Sequence, residues 1–410
     1  MLKNYWYRLL SRLLVFLYYH RVRVLNGQLL PDGGPVLFVA LHRNGAVDGY
    51  VYKSQLPRVN FLISVQLRRS WIGRIFFGGI EVARKKDKAT DNPAEAADGN
   101  TAIDACADYV RQGGELLILP EGSSDLGHRH LPFHKGAART LARLMEETRP
   151  LPAVIPLGIH YEQAWAWQSD VEVVVGAPID TNLPPGSSPA ERIGLLHERI
   201  TAALEALAVQ AGDAETLSRR ERIAYAATLG NKRSYFAAQK ALENGLPEAE
   251  ALTMKLEREI LHSPKGQRLW LHQGVPLVPM QHAWAYPLLF ILLLPFAALA
   301  CALNAPPLLA ACWAGQRFSD GRNTIALWRL LIGFPALAIW AVLLLVMALW
   351  SHALVLWFVY LAVSMIGIRF VRRVQKLAIT LHNWAFANSL REPLLAWRVS
   401  LETCMRTRNV

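Results

Sequence analysis

Short apolar runs of strand length recur through the first half of the chain: VLFVAL (36–41), NFLISV (60–65), IEVA (80–83), ELLILP (115–120), AVIPLGI (153–159) and VEVVV (171–175). Between several of them the period changes to that of a helix. NTAIDACADYVRQGG (100–114) sets Ile103, Cys106 and Val110 on one face, has Thr101 and Asp104 at capping-box spacing, and stops at Gly113-Gly114. KGAARTLARLMEE (135–147) reads the same way. This alternation predicts an α/β domain over 30–183, a mixed sheet flanked by helices, with its site at strand ends.

From about 184 the strands stop, and three amphipathic, mixed-charge segments predict a helical appendage over 184–280. Core packing, self-association and regulation are all open as its role. Beyond 283 the pattern loses its polar positions. Apolar segments at about 284–312, 325–349 and 352–368 lie within 281–370, and about 20 apolar residues suffice to cross a bilayer. The first is interrupted by Asn304-Ala305-Pro306-Pro307, which reads as a re-entrant or hairpin element. The block 325–368 reads as two passes turning near Ser351-His352.

RFVRRVQK (369–376) opens a basic tail, 371–410, and predicts a cytoplasmic C-terminal side. With the α/β domain also cytoplasmic, the crossings are even in number. At the other end, residues 1–29 read as an amphipathic segment. LLVFLYY (13–19) follows Arg8 and Arg12, one helical turn apart, with no small-residue cleavage site after it. Two readings stand for this helix: an interfacial anchor, or packing on the α/β core.

The net charge of +12 suits anionic lipid headgroups, a phosphorylated substrate or nucleic acid. Basic and aromatic residues are not interleaved on a recognisable nucleic-acid module, and the apolar C-terminal third favours lipid. The four cysteines show neither a CxxC pattern nor a disulfide framework, which fits a reducing compartment.

Four stretches carry candidate chemistry. In VALHRNGAVDGYVY (39–52), an apolar strand breaks at His42, with Asp48 following. A carboxylate on one ring nitrogen would fix the tautomer and leave the other nitrogen to take a hydroxyl proton. Asn44-Gly45 and Asp48-Gly49 also read simply as turns. With no nucleophilic serine beside the pair, the acceptor's own hydroxyl would attack. GGIEVARKKDK (78–88) delivers Arg84, Lys85 and Lys86 together, fit to grip a phosphate or to form a solvated basic loop.

LLILPEGSSDLGHRHLPFHKGAART (116–140) ends a buried strand at Pro120, continues with Glu121-Gly122, and opens a helix at Lys135-Gly136. Its GSSDL is not a G-x-S-x-G elbow, and Lys135-Gly136 completes no Walker A loop. His128, His130 and His134, interleaved with Arg129 and Lys135 and without cysteines, read as a polar loop rather than a metal site. The fourth stretch places Pro156 in a strand ahead of a Gly176-Ala177-Pro178 turn.

These four stretches, in this order over about 30–180, resemble the glycerolipid acyltransferase family, which includes lysophosphatidic acid and glycerol-3-phosphate acyltransferases. His42 and Asp48 look like its first block, Gly79, Ile80 and Arg84 like its second, Glu121 and Gly122 like its third, and Pro156 like its fourth. The chain departs from the family by having five residues between histidine and aspartate instead of four. On a regular helix that would turn the carboxylate by about 100°. The five-residue spacing, with Asn44 two after the histidine, is similar to that of fungal-type glycerol-3-phosphate acyltransferases. Ser123-Ser124 also replaces the usual Thr-Arg, leaving Arg129 or Lys135 as substitute cations.

The resemblance implies a membrane-bound O-acyltransferase facing the cytoplasm. His42 would act as base and Asp48 would orient it. Arg84, Lys85, Arg129 and Lys135 would hold the acceptor's phosphate, while Glu121, Gly122 and Pro156 would complete the substrate site. Acyl-CoA or acyl carrier protein is the expected co-substrate and a phosphorylated glycerol the acceptor; no cofactor or metal is expected, and the oligomeric state is open. A non-catalytic membrane scaffold keeping the same fold is the alternative. The joint presence of His42, Asp48, Arg84 and Glu121 argues against it.

Overall fold

A computed structural model describes residues 2–82, 99–147, 150–230, 232–280 and 282–406. They divide into two compact units: Met1–Phe16, Val22–His160 and Val171–Ala208 in the first, and Leu17–Arg21, Tyr161–Asp170 and Val209–Val410 in the second.

The first unit is built on a seven-stranded mixed sheet. In chain order its elements are α1 (Leu2–Tyr18), β1 (Arg21–Leu25), β2 (Val36–Ala40), α2 (Val47–Gln55), β3 (Asn60–Ser64), α3 (Trp71–Phe76) and β4 (Ile80–Val82). These are followed by α4 (Gly99–Arg111), β5 (Glu115–Ile118), α5 (Gly136–Glu147), β6 (Ala153–Tyr161), β7 (Asp170–Val175) and α6 (Pro189–Leu207). The strand order is β1-β7-β6-β2-β5-β3-β4. Strand β2 runs parallel to β5, with Phe38 opposite Leu117, and parallel to β6, with Val39 opposite Pro156. Every residue of β2 and β5 is buried, as expected of central parallel strands covered on both faces. Because β2 and β5 are parallel neighbours, the loops after them leave from the same edge of the sheet.

Six of the strands are those that the apolar runs predict. The seventh, β1, lies inside the segment 1–29 that the sequence reads as one amphipathic helix. The chain turns extended after Tyr18 because Arg23 pairs with buried Glu172 of β7 and Asn26 Nδ2 donates to the Val175 carbonyl at 3.2 Å. The appendage also begins later than expected. Helix α6, entered through a Ser188–Glu191 capping box, packs on α5 and lies in the first unit.

The second unit contains α7 (Ala214–Thr228), α8 (Tyr235–Glu243), α9 (Pro247–Leu256), α10 (Ala285–Leu303), α11 (Ala305–Arg317), α12 (Arg322–Trp350), α13 (Leu354–Phe386) and α14 (Arg391–Arg406). The segment expected to be a basic tail from 371 is helical over most of its described length. Helix α13 runs on to Phe386, and α14 buries Leu394, Trp397, Leu401 and Met405 in one core with Ile223, Tyr225 and Leu242. The 3-4-4 spacing of those four residues forms the buried apolar stripe of a helix that also carries Arg391, Glu392, Arg398, Glu402 and Arg406.

Helices α10, α12 and α13 are long and apolar enough to cross a bilayer. α12 and α13 are joined by a short turn at 351–353, and the expected first segment breaks at Asn304 between α10 and α11. Polar side chains take up the groups freed by the break. Asn304 Nδ2 donates to Ala300 O and Ser364 Oγ, both at 2.8 Å, the Tyr360 hydroxyl donates to Asn304 Oδ1 at 2.7 Å, and Trp340 Nε1 reaches the Leu303 carbonyl at 2.8 Å. Such internal satisfaction is what an interrupted helix needs where water is absent. At the far end of α13, buried Arg372 donates to Gln168 O at 2.7 Å and pairs with Glu162.

Candidate active site

The site grows from the end of β2. Leu41 is pinned on both sides of its peptide: its N–H donates to the Leu157 carbonyl at 3.0 Å, and its carbonyl accepts the hydroxyl of fully buried Tyr52 at 3.1 Å. His42 follows, and the chain enters α2, whose first turn carries Asp48. Asp48 Oδ2 lies 2.9 Å from His42 Nδ1 and accepts the backbone N–H groups of Arg43 at 2.6 Å and Asn44 at 2.8 Å. An ionised carboxylate can only accept, so the proton sits on Nδ1 and Nε2 is left with a lone pair. The Asp48 side chain is 0% exposed while that of His42 keeps 10%. The imidazole can be reached from solvent; its carboxylate partner cannot.

The extra residue between the pair is absorbed before α2 begins. Gly45 has φ 55, in the left-handed region, which reverses the chain so that Val47 N and Asp48 N bond back to Asn44 O and Gly45 O at 3.2 Å each. The helical rotation that the spacing threatens therefore never accumulates, because the loop rather than the helix carries the additional residue.

Glu121, after the parallel strand β5, is 2% exposed. Its Oε1 accepts the His42 N–H at 2.8 Å and its Oε2 accepts the Leu131 N–H at 3.1 Å. Burial raises its carboxyl above the ordinary glutamate value, opposed by those two amides and by the Arg43 and His42 charges. Glu121 therefore braces the site, one oxygen holding the loop that carries the histidine and the other the Leu131 amide of its own loop. Gly122 has φ 66, a left-handed conformation that favours glycine, and a Cβ there would come 3.3 Å from His134 Cδ2, closer than ordinary contact.

Arg129 and Lys135 are exposed, Lys135 immediately before α5. Arg84 and Lys85 lie outside the described residues. Pro156 is buried in the middle of β6, accepting Gly176 N–H at 2.9 Å, with its ring where a Gly176 Cβ would stand. It packs the sheet opposite Val39 of β2. His130 stacks on Phe133 with centroids 4.3 Å apart, and among the described residues no cluster of three or more His, Cys, Asp or Glu side chains is placed to hold a metal.

Sequence reasoning missed Arg43. Its guanidinium reaches across to the β5 loop, donating from Nη2 to the Gly127 carbonyl at 2.9 Å, and its charge acts on Glu121. Its place next to His42 in sequence was the available signal.

Residues 21–160 match the family model described as Acyltransferase. This segment spans β1 through nearly all of β6 and contains His42, Asp48, Glu121 and Pro156. Among solved structures, the chain is similar to the 1-acyl-sn-glycerophosphate (LPA) acyltransferase PlsC from Thermotoga maritima, at 17% identity over 52% of this chain and 81% of that one, with a TM-score of 0.35. No curated protein matches the chain.

Proposed function

We propose that the acyltransferase-type domain belongs to a membrane-bound enzyme that moves a fatty acyl group from acyl-CoA or acyl carrier protein to the hydroxyl of glycerol-3-phosphate or lysophosphatidic acid. The observation that carries this reading is the 2.9 Å contact between His42 Nδ1 and fully buried Asp48 just after the end of the central strand β2. His42 Nε2 takes the acceptor's hydroxyl proton as its oxygen bonds to the thioester carbonyl carbon. Asp48 stabilises the imidazolium so formed. When the tetrahedral intermediate collapses, the C–S bond breaks and the proton passes from His42 to the leaving thiolate.

Arg43, Arg129 and Lys135, with Arg84 and Lys85 of the same sequence block, are the cations suited to the acceptor's phosphate. Helices α12 and α13 are read as a transmembrane hairpin and the α10–α11 pair, broken at Asn304, as a re-entrant element. That arrangement gives an even number of crossings with the catalytic domain on the cytoplasmic side.

The test is to incubate the purified chain with labelled palmitoyl-CoA, or the corresponding acyl carrier protein, and either glycerol-3-phosphate or lysophosphatidic acid, and to identify products by mass spectrometry. A new acyl ester on one acceptor is expected. Hydrolysis of the donor alone, with no ester on either acceptor, contradicts the proposal.

A further inference from the structure

Within the second unit, the broken helix pair stops short of its neighbours. Asn304 Nδ2 donates to Ser364 Oγ and Trp340 Nε1 to the Leu303 carbonyl, both at 2.8 Å, so the joint between α10 and α11 lies level with Trp340 of α12 and Ser364 of α13. Helix α12 runs on from Trp340 to Trp350 and α13 comes back from Leu354 to Ser364, each stretch about 15 Å long. On the other side of the joint, Arg329 lies about 16 Å from Trp340 along α12. A hydrocarbon core about 30 Å thick divides at that level into two leaflets of about 15 Å. Helices α10 to α13 share one half, and the α12–α13 hairpin continues into the other.

A cavity of about 570 Å³ lies where the hairpin goes on without the pair. Leu303 closes its inner end, Leu344, Met347 and Ala348 of α12 form one wall, and Leu356 and Trp357 of α13 form the other. The polar groups around it are already engaged. The Tyr360 hydroxyl donates to Asn304 Oδ1 at 2.7 Å, Trp357 Nε1 to the Ala341 carbonyl at 2.9 Å and Ser351 Oγ to the Met347 carbonyl at 2.8 Å. A water molecule needs about two to four polar partners, so this lining does not suit one. A further helix is too large: about 10 Å across, it fills more than about 1,000 Å³ over a length of about 15 Å. What fits is narrow and apolar, a single hydrocarbon chain. Trp350, 87% exposed beside the turn at 351–353, is of a residue type enriched where such a chain meets its headgroup.

We propose that this cavity is a lipid site, holding one acyl chain of a diacyl phospholipid from the leaflet at the 351–353 turn, packed beneath Leu303 where α10 has ended. Inside a bilayer no hydrophobic driving force favours protein over lipid. What sets this lipid apart from its neighbours is therefore packing, with side chains on three sides of its chain. No Asp, Glu, Lys or Arg occurs between 330 and 368, so the site selects the chain and not the headgroup. The inference rests on the reading of α12 and α13 as bilayer-spanning.

For the test, the full chain is reconstituted in vesicles of phosphatidylcholine or of phosphatidylglycerol, washed with alkaline carbonate, extracted in mild detergent and weighed intact by native mass spectrometry. One phospholipid per chain is expected from either vesicle, at similar occupancy. Leu356→Trp on the exposed wall and Ala348→Phe on the buried one each fill the cavity, and each should lower that occupancy at least about tenfold. Ile339→Trp, at an exposed position of α12 outside the lining, should leave it unchanged. A parent chain that resists carbonate yet carries no phospholipid, or a Leu356→Trp variant that carries as much as the parent, overturns the lipid site alone. Release of the chain by carbonate removes the bilayer reading and the inference with it. A second copy of the chain, or a free fatty acid, retained in place of the phospholipid also overturns it.

Discussion

Glu121 grips the backbone of His42, not its ring: Oε1 accepts the His42 N–H at 2.8 Å while Oε2 holds Leu131 N–H at 3.1 Å. The carboxylate ties the β2 loop to the β5 loop and so sets where the imidazole starts. Glutamine keeps one acceptor and turns its amide toward the other N–H. Glu121→Gln should therefore cost about 1–3 kcal/mol of stability and lower kcat more than it raises KM for the phosphorylated acceptor. Thermal unfolding and steady-state kinetics check both; a change confined to acceptor KM would return Glu121 to the binding site.

Asp48 accepts three donors on one oxygen, and an asparagine placing its amide oxygen there would keep the acceptor but lose the negative charge. Asp48→Asn is expected to lower kcat by about 10²–10⁴ with a folded protein, because the imidazolium formed in the reaction loses its counter-charge. Acyl transfer measured at saturating substrates decides this, and near-wild-type turnover would detach the carboxylate from the mechanism.

Gly45 makes the five-residue spacing workable through its left-handed φ of 55. Gly45→Val should lower stability by about 1–2 kcal/mol, since a β-branched residue is disfavoured there. Activity should fall as well, because the turn sets the Asp48 helix. An unchanged melting temperature and rate would show that the loop finds another path.

The sequence made the pair and most of the sheet legible because both are local signals: apolar runs of strand length, and a histidine and carboxylate six positions apart. What it hid depends on partners far along the chain. Glu121 meets the His42 amide across 79 positions, and no spacing rule reports whether a carboxylate faces a ligand or a backbone. The short alternation Arg21-Val22-Arg23-Val24 gave β1 too little apolar character to stand out beside a long apolar helix. In α14, the charges between Leu394, Trp397, Leu401 and Met405 made a packed helix look like a tail. The cluster at Arg84 and Lys85 lies outside the described residues, so its relation to His42 rests on the sequence resemblance.

His272 gives the second unit an acid sensitivity. Buried and 2.6 Å from the Tyr225 hydroxyl at Nδ1, its imidazole is pushed down from 6.5 to about 3 by burial, with the Lys376 and Arg372 charges adding to the effect. A depressed folded-state value means that the contribution to stability is present above 6.5 and is lost as pH falls toward about 3. The slope is at most about 1.4 kcal/mol per pH unit. His272→Asn, which keeps an acceptor but does not titrate, should show a flatter fall in unfolding temperature across that window than the parent chain. Superimposable curves would mean that the ring is not held neutral.

The central claim is that His42 is the base for acyl transfer. The most direct measurement compares His42→Ala with the parent chain in a labelled acyl-CoA assay, using the acceptor that the parent uses, with folding and vesicle association checked in parallel. Loss of about 10²–10⁴ in rate with folding and association intact is the expected result. Ordinary turnover by the folded variant would contradict the account.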